Sequence, residues 1–373
     1  MASLGETVAA LAAARWTPAD ETAATSLQEI DMSADNPGGL RMLVHAPPGR
    51  PARAPLVVVL HGCTQTASAY ALGAGWLELA DRCGFVLLCP EQTRANNLNV
   101  CFNWFQPADT CRGGGEAASI HAMVRKAIAD YDLDPSRIFV TGLSAGGAMA
   151  NVMLATYPET FAGGAIIAGL PYGAASNMQE AFAAMRGSRS LPARVLGDAV
   201  RSASGRRGPW PRISIWQGDE DMTVAPSVAE DLASQWRNVH GIEGAGSDLL
   251  TAGPDDTGRR RRTAWRDSRG AAAVELNQLS GMGHGAPLGC MIDDGCGRAG
   301  PYLLEVGVSS TLEIARSWTL VQPHNQMRAA PQAPPAPARA RADAGGSPPL
   351  LHAITSEVGG VITGALRNAG LLK

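Results

Sequence analysis

The chain has 373 residues, 45% of them hydrophobic, and a formal net charge of −3. That is enough for one large α/β domain or two ordinary ones with a sizeable core, and the charge balance gives no reason to expect a nucleic-acid partner. No stretch reaches the roughly 18 apolar residues needed to span a bilayer.

Residues 1–24 are Ala-rich and read as a helical segment. The opening "MASLGETVAALAAARW" has no basic region ahead of its apolar part, so it does not read as a secretory signal. "SLQEIDM" and "LRMLVHAP" read as two strands around the turn "SADNPGG". "APLVVVL" is a continuous apolar strand of the kind buried on both faces. One helical pattern follows in "ASAYALGAGWLELADRCG", then the strand "FVLLCP" and a long loop from Glu91 to Gly115. The helix "EAASIHAMVRKAIADY" leads through Asp134-Pro135 to the strand "RIFVTG". "GGAIIAGLP" and "RISIWQG" supply further strands, and "SVAEDLASQWRNVHG" is an amphipathic helix ended by Gly241. The basic run Arg259 to Arg262 is expected to be a solvated loop rather than a phosphate-binding patch. "RRTAWRD" and "AAVELNQL" form a late hairpin, and "SSTLEIARSWTL" is the last core helix. Alternating strands and helices predict an α/β class with a mostly parallel central sheet and helices on both faces.

Composition changes after Leu320. Residues 25–320 are therefore expected to form one catalytic domain. Residues 321–349 form a Pro/Ala-rich linker, extended and mobile, and 350–373 an amphipathic helix. Leu351, Ile354, Val358, Val361, Ile362, Ala365 and Leu366 keep helical spacing. That apolar face suits docking on its own domain or, in a homodimer, on a second subunit; adsorption to a lipid or polymer surface is the alternative.

Seven cysteines leave at least one unpaired within the chain. Cys290 and Cys296 flank one short loop and Cys101 and Cys111 another, so either pair could close a small ring. Cys89 reads as a buried thiol. With no C-x-x-C, a zinc site is not expected.

Gly142-Leu143-Ser144-Ala145-Gly146 fits G-x-S-x-G, a weak signal in a chain with 43 glycines. Its setting is stronger, because it falls between an apolar strand and a helical run, the order a nucleophile elbow needs. A serine hydroxyl requires a base. In this fold the acid and the base follow the serine. His45, His61 and His121 precede it, His324 and His352 lie in or beyond the linker, and His240 sits at a helix end. His284 remains, in the glycine-rich loop "LSGMGHGAPLG". The acid is expected in "QGDEDMTV" after a strand; G-x-x-D-x-x-V spacing selects Asp221, with Asp219 in reserve. Oxyanion donors are expected from the N–H groups of Ala145 and of Cys63 in "HGCTQ", with Thr64 the alternative to Cys63.

These residues lie within blocks that resemble a known family: "LHGCTQTASAYALGAGWLELADRCGFVLLCPEQ", "CFNWF", "GGGEAASI", "VTGLSAGGAMANVMLATYPETFAGGAIIAGLPYG", "IWQGDEDMTV" and "GHGAPL" with "VGVSSTLEIARSW". Together they are similar to the esterases of the polyhydroxybutyrate (PHB) depolymerase family, relatives of feruloyl and acetylxylan esterases. The resemblance covers about residues 25–320. It implies an α/β-hydrolase fold and hydrolysis of short-chain polyhydroxyalkanoate polymer or oligomers through an acyl-enzyme. It also implies a triad of Ser144, Asp221 and His284, with no metal or organic cofactor, and an extracellular setting, although the missing secretory signal leaves a cytoplasmic one open. It further implies a Cys63–Cys101 disulfide and a place for Trp104 near the substrate cleft. Two features depart from the family. Only a linker and a helix of about 23 residues follow, too short for the separate polymer-binding domain that secreted members often carry, so action on crystalline polymer does not follow from the resemblance. Gln217 stands where a histidine is common. A feruloyl or acetylxylan esterase, an acyltransferase or a peptidase would use the same triad. A non-enzymatic granule-binding protein would not need it.

Overall fold

The computed structural model describes residues 26–32, 35–244, 246–248 and 258–321. The N-terminal helical segment, the Pro/Ala-rich linker and the C-terminal helix lie outside the described residues.

In chain order the elements are β1 (Gln28–Ile30), β2 (Arg41–His45), β3 (Leu56–Leu60), α1 (Ala67–Gly73), α2 (Trp76–Cys83), β4 (Val86–Glu91) and α3 (Gly115–Tyr131). Next come β5 (Ile138–Leu143), α4 (Ala145–Thr156), β6 (Gly163–Ile167), α5 (Met178–Met185), α6 (Ala193–Ser204), β7 (Arg212–Gly218) and α7 (Ser227–His240). The last are β8 (Ser247–Asp248), β9 (Arg260–Arg266), β10 (Ala272–Leu279), β11 (Ala286–Leu288), β12 (Leu303–Glu305) and α8 (Ser310–Ser317).

Ten strands make one sheet in the order β1-β2-β4-β3-β5-β6-β7-β10-β9-β8. The six central strands from β4 to β10 pair in parallel. Antiparallel strands flank them on both sides. β3 and β5 are buried at every position because both faces of the sheet are covered. Alternate residues feed two cores. Leu56, Val58, Val140 and Ile215 pack with α3, α4, α6 and α7, whereas Val57, Val59, Phe139 and Trp216 pack with α1, α2 and α8. β11 and β12 form a small parallel pair beyond β10.

Four expectations change. The single helix after β3 is two helices, because Gly75 adopts φ +83 and breaks the run between them. α5 and α6, in the segment after β6, were not expected. The Arg259–Arg262 run is not a solvated loop. Arg260 opens β9, donates to Glu313 of α8 at 2.8 Å and lies over the Trp216 ring, while Arg262 grips Glu275 at 2.7 Å. A run of four arginines reads as solvated until the partners of Arg260 and Arg262, distant in the chain, are known. Finally, neither small cysteine ring forms: Cys101 pairs elsewhere, and Cys111, Cys290 and Cys296 are free thiols. Cys89 is a buried thiol, as expected.

His45 at the end of β2 places Nε2 2.7 Å from Asp81 of α2 and Nδ1 3.2 Å from the Ser26 carbonyl. Burial pulls its pKa down, but the Asp81 hydrogen bond and charge, with the Ser26 carbonyl, raise it above the ordinary value. A raised folded-state pKa stabilises the fold fully below the unfolded-state value, and the gain is lost as pH rises through the folded value. The Tm gap between wild type and H45Q is expected to be widest below about pH 6.5 and to narrow above it. A gap that stays constant across that range contradicts the coupling.

Candidate active site

β5 ends at Leu143, and Ser144 turns the chain at φ 56, ψ −118 before α4 begins at Ala145. A non-glycine residue in this region costs about 1–3 kcal/mol, which persists only where the surroundings enforce it. Enforcement is visible on both sides. The Ser144 N–H donates to the Ile167 carbonyl at 2.9 Å, and α4 is buried along its whole length. Gly146 must lack a side chain, since a Cβ there would run into the Leu60 and His61 carbonyls. The loop after β3 is thereby pressed against the serine turn, and Ser144 itself stays half-buried.

The acid and the base approach from β7 and β10, which are parallel neighbours. Asp219 N–H donates to the Leu279 carbonyl at 3.1 Å and Glu220 N–H to the Met282 carbonyl at 3.0 Å. Asp219 Oδ1 accepts from Gly281 N–H at 2.7 Å, so the reserve acid fastens the histidine loop and does not face the ring. Asp221 does face it. Its Oδ2 lies 2.8 Å from His284 Nδ1, with the Asp221 side chain fully buried and that of His284 10% exposed. Oδ1 accepts from the Thr223 and Val224 N–H groups at 2.8 and 2.9 Å. Gln217 donates to Oδ2 at 2.9 Å. Burial pushes the Asp221 pKa up, but the His284 hydrogen bond and charge and the two backbone donors outweigh it and hold the carboxyl below its ordinary value. The Tyr302 ring stands edge-on to the imidazole at 6.0 Å. Ser144, Asp221 and His284 thus follow the C-terminal ends of β5, β7 and β10, on one edge of the sheet. Asp221 and His284 are in contact; among the described residues no hydrogen bond joins the Ser144 hydroxyl to the ring.

The loop after β3 is fixed by a buried imidazole. Gln92 N–H donates to His61 Nε2 at 3.1 Å, so Nε2 carries the lone pair and Nδ1–H points at the Gly62 carbonyl, 2.8 Å away. Burial holds His61 below the ordinary histidine range, against the Gly62 carbonyl and the Glu91 charge. The Gly62 carbonyl and the Cys63 N–H share one peptide plane, so this bond also sets the direction of the N–H. Thr64 N–H is spent on the Asn99 carbonyl at 2.8 Å, which removes it as the alternative donor. Among the described residues, neither Cys63 N–H nor Ala145 N–H has a protein acceptor.

Cys63 is bonded to Cys101, 38 residues away, tying this loop to the segment after β4. Closing a loop of that length is worth about 3–4 kcal/mol in the chain-entropy account. Replacing both cysteines by serine should lower the unfolding free energy by that amount in denaturant titrations without reductant. An unchanged midpoint would contradict the tie.

The long loop also carries a buried polar cluster that sequence reasoning missed. Glu116, 1% exposed at the start of α3, accepts from Gln92 Nε2 at 2.5 Å and from Asn103 N–H and Nδ2 at 2.9 and 2.8 Å. Burial pushes its pKa up to about 8, against the Asn103 and Gln92 donors. The only signal was the presence of "GGGEAASI" among the resembling blocks. Trp104, next to Asn103, is 8% exposed and packs edge-on against Phe105, so any contact with substrate is through that small remainder.

Comparison with known proteins gives a family and a fold. Residues 40–255 match the family model described as esterase PHB depolymerase. The chain is 43% identical to poly(3-hydroxyalkanoate) depolymerase C of Paucimonas lemoignei, over 79% of this chain and 70% of that one. It is 33% identical to an acetylxylan esterase of Coprinopsis cinerea, over 72% of each chain. It is 36% identical to feruloyl esterase B of Neurospora crassa, over 60% of this chain and 79% of that one. Among solved structures, the acetyl xylan esterase from Aspergillus awamori superposes with a TM-score of 0.66 at 24% identity, over 79% of this chain and all of that one, a similarity of fold.

Proposed function

This chain belongs to the PHB depolymerase family of esterases, and on that premise we propose that it hydrolyses short-chain polyhydroxyalkanoate esters through an acyl-enzyme on Ser144. It is an ester hydrolase with the α/β-hydrolase fold; the residue roles and the preferred ester are our reading. The observation that carries the roles is the 2.8 Å Asp221–His284 hydrogen bond, buried on the sheet edge where the strained Ser144 turn stands.

Ser144 Oγ attacks the ester carbonyl while His284 Nε2 takes its proton. Asp221 accepts from Nδ1–H, which leaves Nε2 as the basic atom and stabilises the imidazolium that forms. The tetrahedral oxyanion is held by the Cys63 and Ala145 N–H groups, the second assisted by the N-terminus of α4. His284 then gives its proton to the leaving alcohol, and the same cycle with water releases the acid.

A polyester is favoured over a carbohydrate ester by the depolymerase relative and by the apolar groups beside these residues. Met222, directly after Asp221, is 95% exposed; Leu98, next to the Asn99 that holds Thr64, is 80% exposed. Exposed side chains of this kind contact aliphatic surface better than a sugar backbone. The test is a panel of p-nitrophenyl butyrate, 3-hydroxybutyrate oligomers, acetylated xylan and a feruloyl ester. The highest kcat/KM is expected on the hydroxybutyrate oligomers, and a clear preference for acetylated xylan would reverse the assignment.

A further inference from the structure

We propose that Gln217 is a positioning residue for the triad acid, one that holds the carboxylate without adding a second proton-exchanging group beside it. The proposal rests on the triad reading above. Gln217 is 2% exposed near the end of β7. Its Nε2 lies 2.9 Å from Asp221 Oδ2, 3.1 Å from the Val224 carbonyl and 3.4 Å from the Gly218 carbonyl. All three neighbours are acceptors, which fixes the nitrogen, not the oxygen, of the amide on this side. Its two hydrogens serve the carboxylate and the Val224 carbonyl, so one side chain braces the acid and closes the turn that carries it.

Oδ2 therefore receives Gln217 and His284, and Oδ1 receives the Thr223 and Val224 N–H groups. Four donors fill the lone-pair sites of a carboxylate. It cannot rotate about its Cβ–Cγ bond without breaking at least one pair, so Oδ2 stays in line with Nδ1. The titratable side chains facing this turn are His284, from the loop after β10, and Asp219 and Glu220, on its own loop. Asp219 is committed to Gly281 N–H, and Glu220 is exposed. A histidine at 217 would instead place a second imidazole, itself able to gain or lose a proton, against the acid. The amide keeps the donor count constant with pH.

The experiment compares wild type, Q217M, Q217H and S144A on p-nitrophenyl butyrate across pH. Methionine keeps the length and removes both donors. Q217M should lower kcat about tenfold with KM within about twofold, as expected for a lost hydrogen bond to a charged group. Its acid limb should move up by about half a pH unit, because the carboxylate then leans more on the imidazolium. Q217H should recover most of kcat at high pH and show a steeper acid limb from its second proton. Wild-type kcat and pH profile in Q217M would overturn the proposal. So would a loss equal at every pH, accompanied by a lower Tm that Q217H does not restore. If S144A keeps its rate the triad itself is wrong; if S144A is inactive and Q217M is unchanged, only the role of Gln217 falls.

Discussion

Ser144→Ala is expected to lower kcat on p-nitrophenyl butyrate by roughly 10³–10⁶-fold while leaving the fold intact. The loss is large because, in the proposed mechanism, the hydroxyl is the group that bonds to substrate, and no neighbour can replace it. Stability should hardly change. The Ser144 hydroxyl has no hydrogen bond among the described residues, and alanine must adopt the same φ of 56 at a similar cost. The turn is enforced by the Ile167 carbonyl and by Gly146, which the variant retains. KM should move little, since the oxyanion donors are backbone groups. The check is steady-state kinetics together with a thermal melt. A variant that hydrolyses the ester at the wild-type rate would refute the nucleophile, and one that is inactive because it has unfolded would not count in its favour.

Asp221→Asn should cost about 10⁴-fold in kcat, although it changes a single atom's chemistry. The Thr223 and Val224 N–H groups demand an acceptor and would claim the amide oxygen. The amide nitrogen would then face Gln217 Nε2 and His284 Nδ1, where two donors already point inward. Relief comes when the imidazole carries its proton on Nε2 and accepts at Nδ1. That tautomer cannot take a proton from Ser144. Activity at high pH should therefore not recover, as it would if the aspartate only raised the affinity of the ring for protons. Recovery of wild-type kcat at high pH would show that the carboxylate acts by charge alone.

The placement of the proposed elbow, acid and base was legible because each rests on a local pattern: an apolar strand ending in G-x-S-x-G, a strand followed by G-x-x-D-x-x-V, and a lone histidine among glycines. Of the two carboxylates that the spacing offered, Asp221 is the one that meets His284, because the turn that carries it points residue 221 inward while Asp219 faces Gly281. What escaped was information that depends on distant pairing. The partner of Cys101 is set by the loop after β4 folding back onto the loop after β3, and only the family resemblance indicated it. Arg260 and Glu313 meet across 53 residues of sequence, so the basic run looked solvated. Gln217 was visible only as a departure from a common histidine, and the two acceptors of its hydrogens lie four and seven residues further along.

The order of the three side chains along the polypeptide has a consequence for biosynthesis. Ser144 follows the fifth strand to emerge and His284 lies in the loop after the tenth. β10 must also slot in beside β7 before the imidazole can reach the edge. On the proposed roles, a nascent chain therefore carries its serine through a long stretch of translation with nothing to awaken it. Esterase turnover becomes a readout of completed assembly, and any ribosome-stalled fragment ending before that loop should be chemically silent.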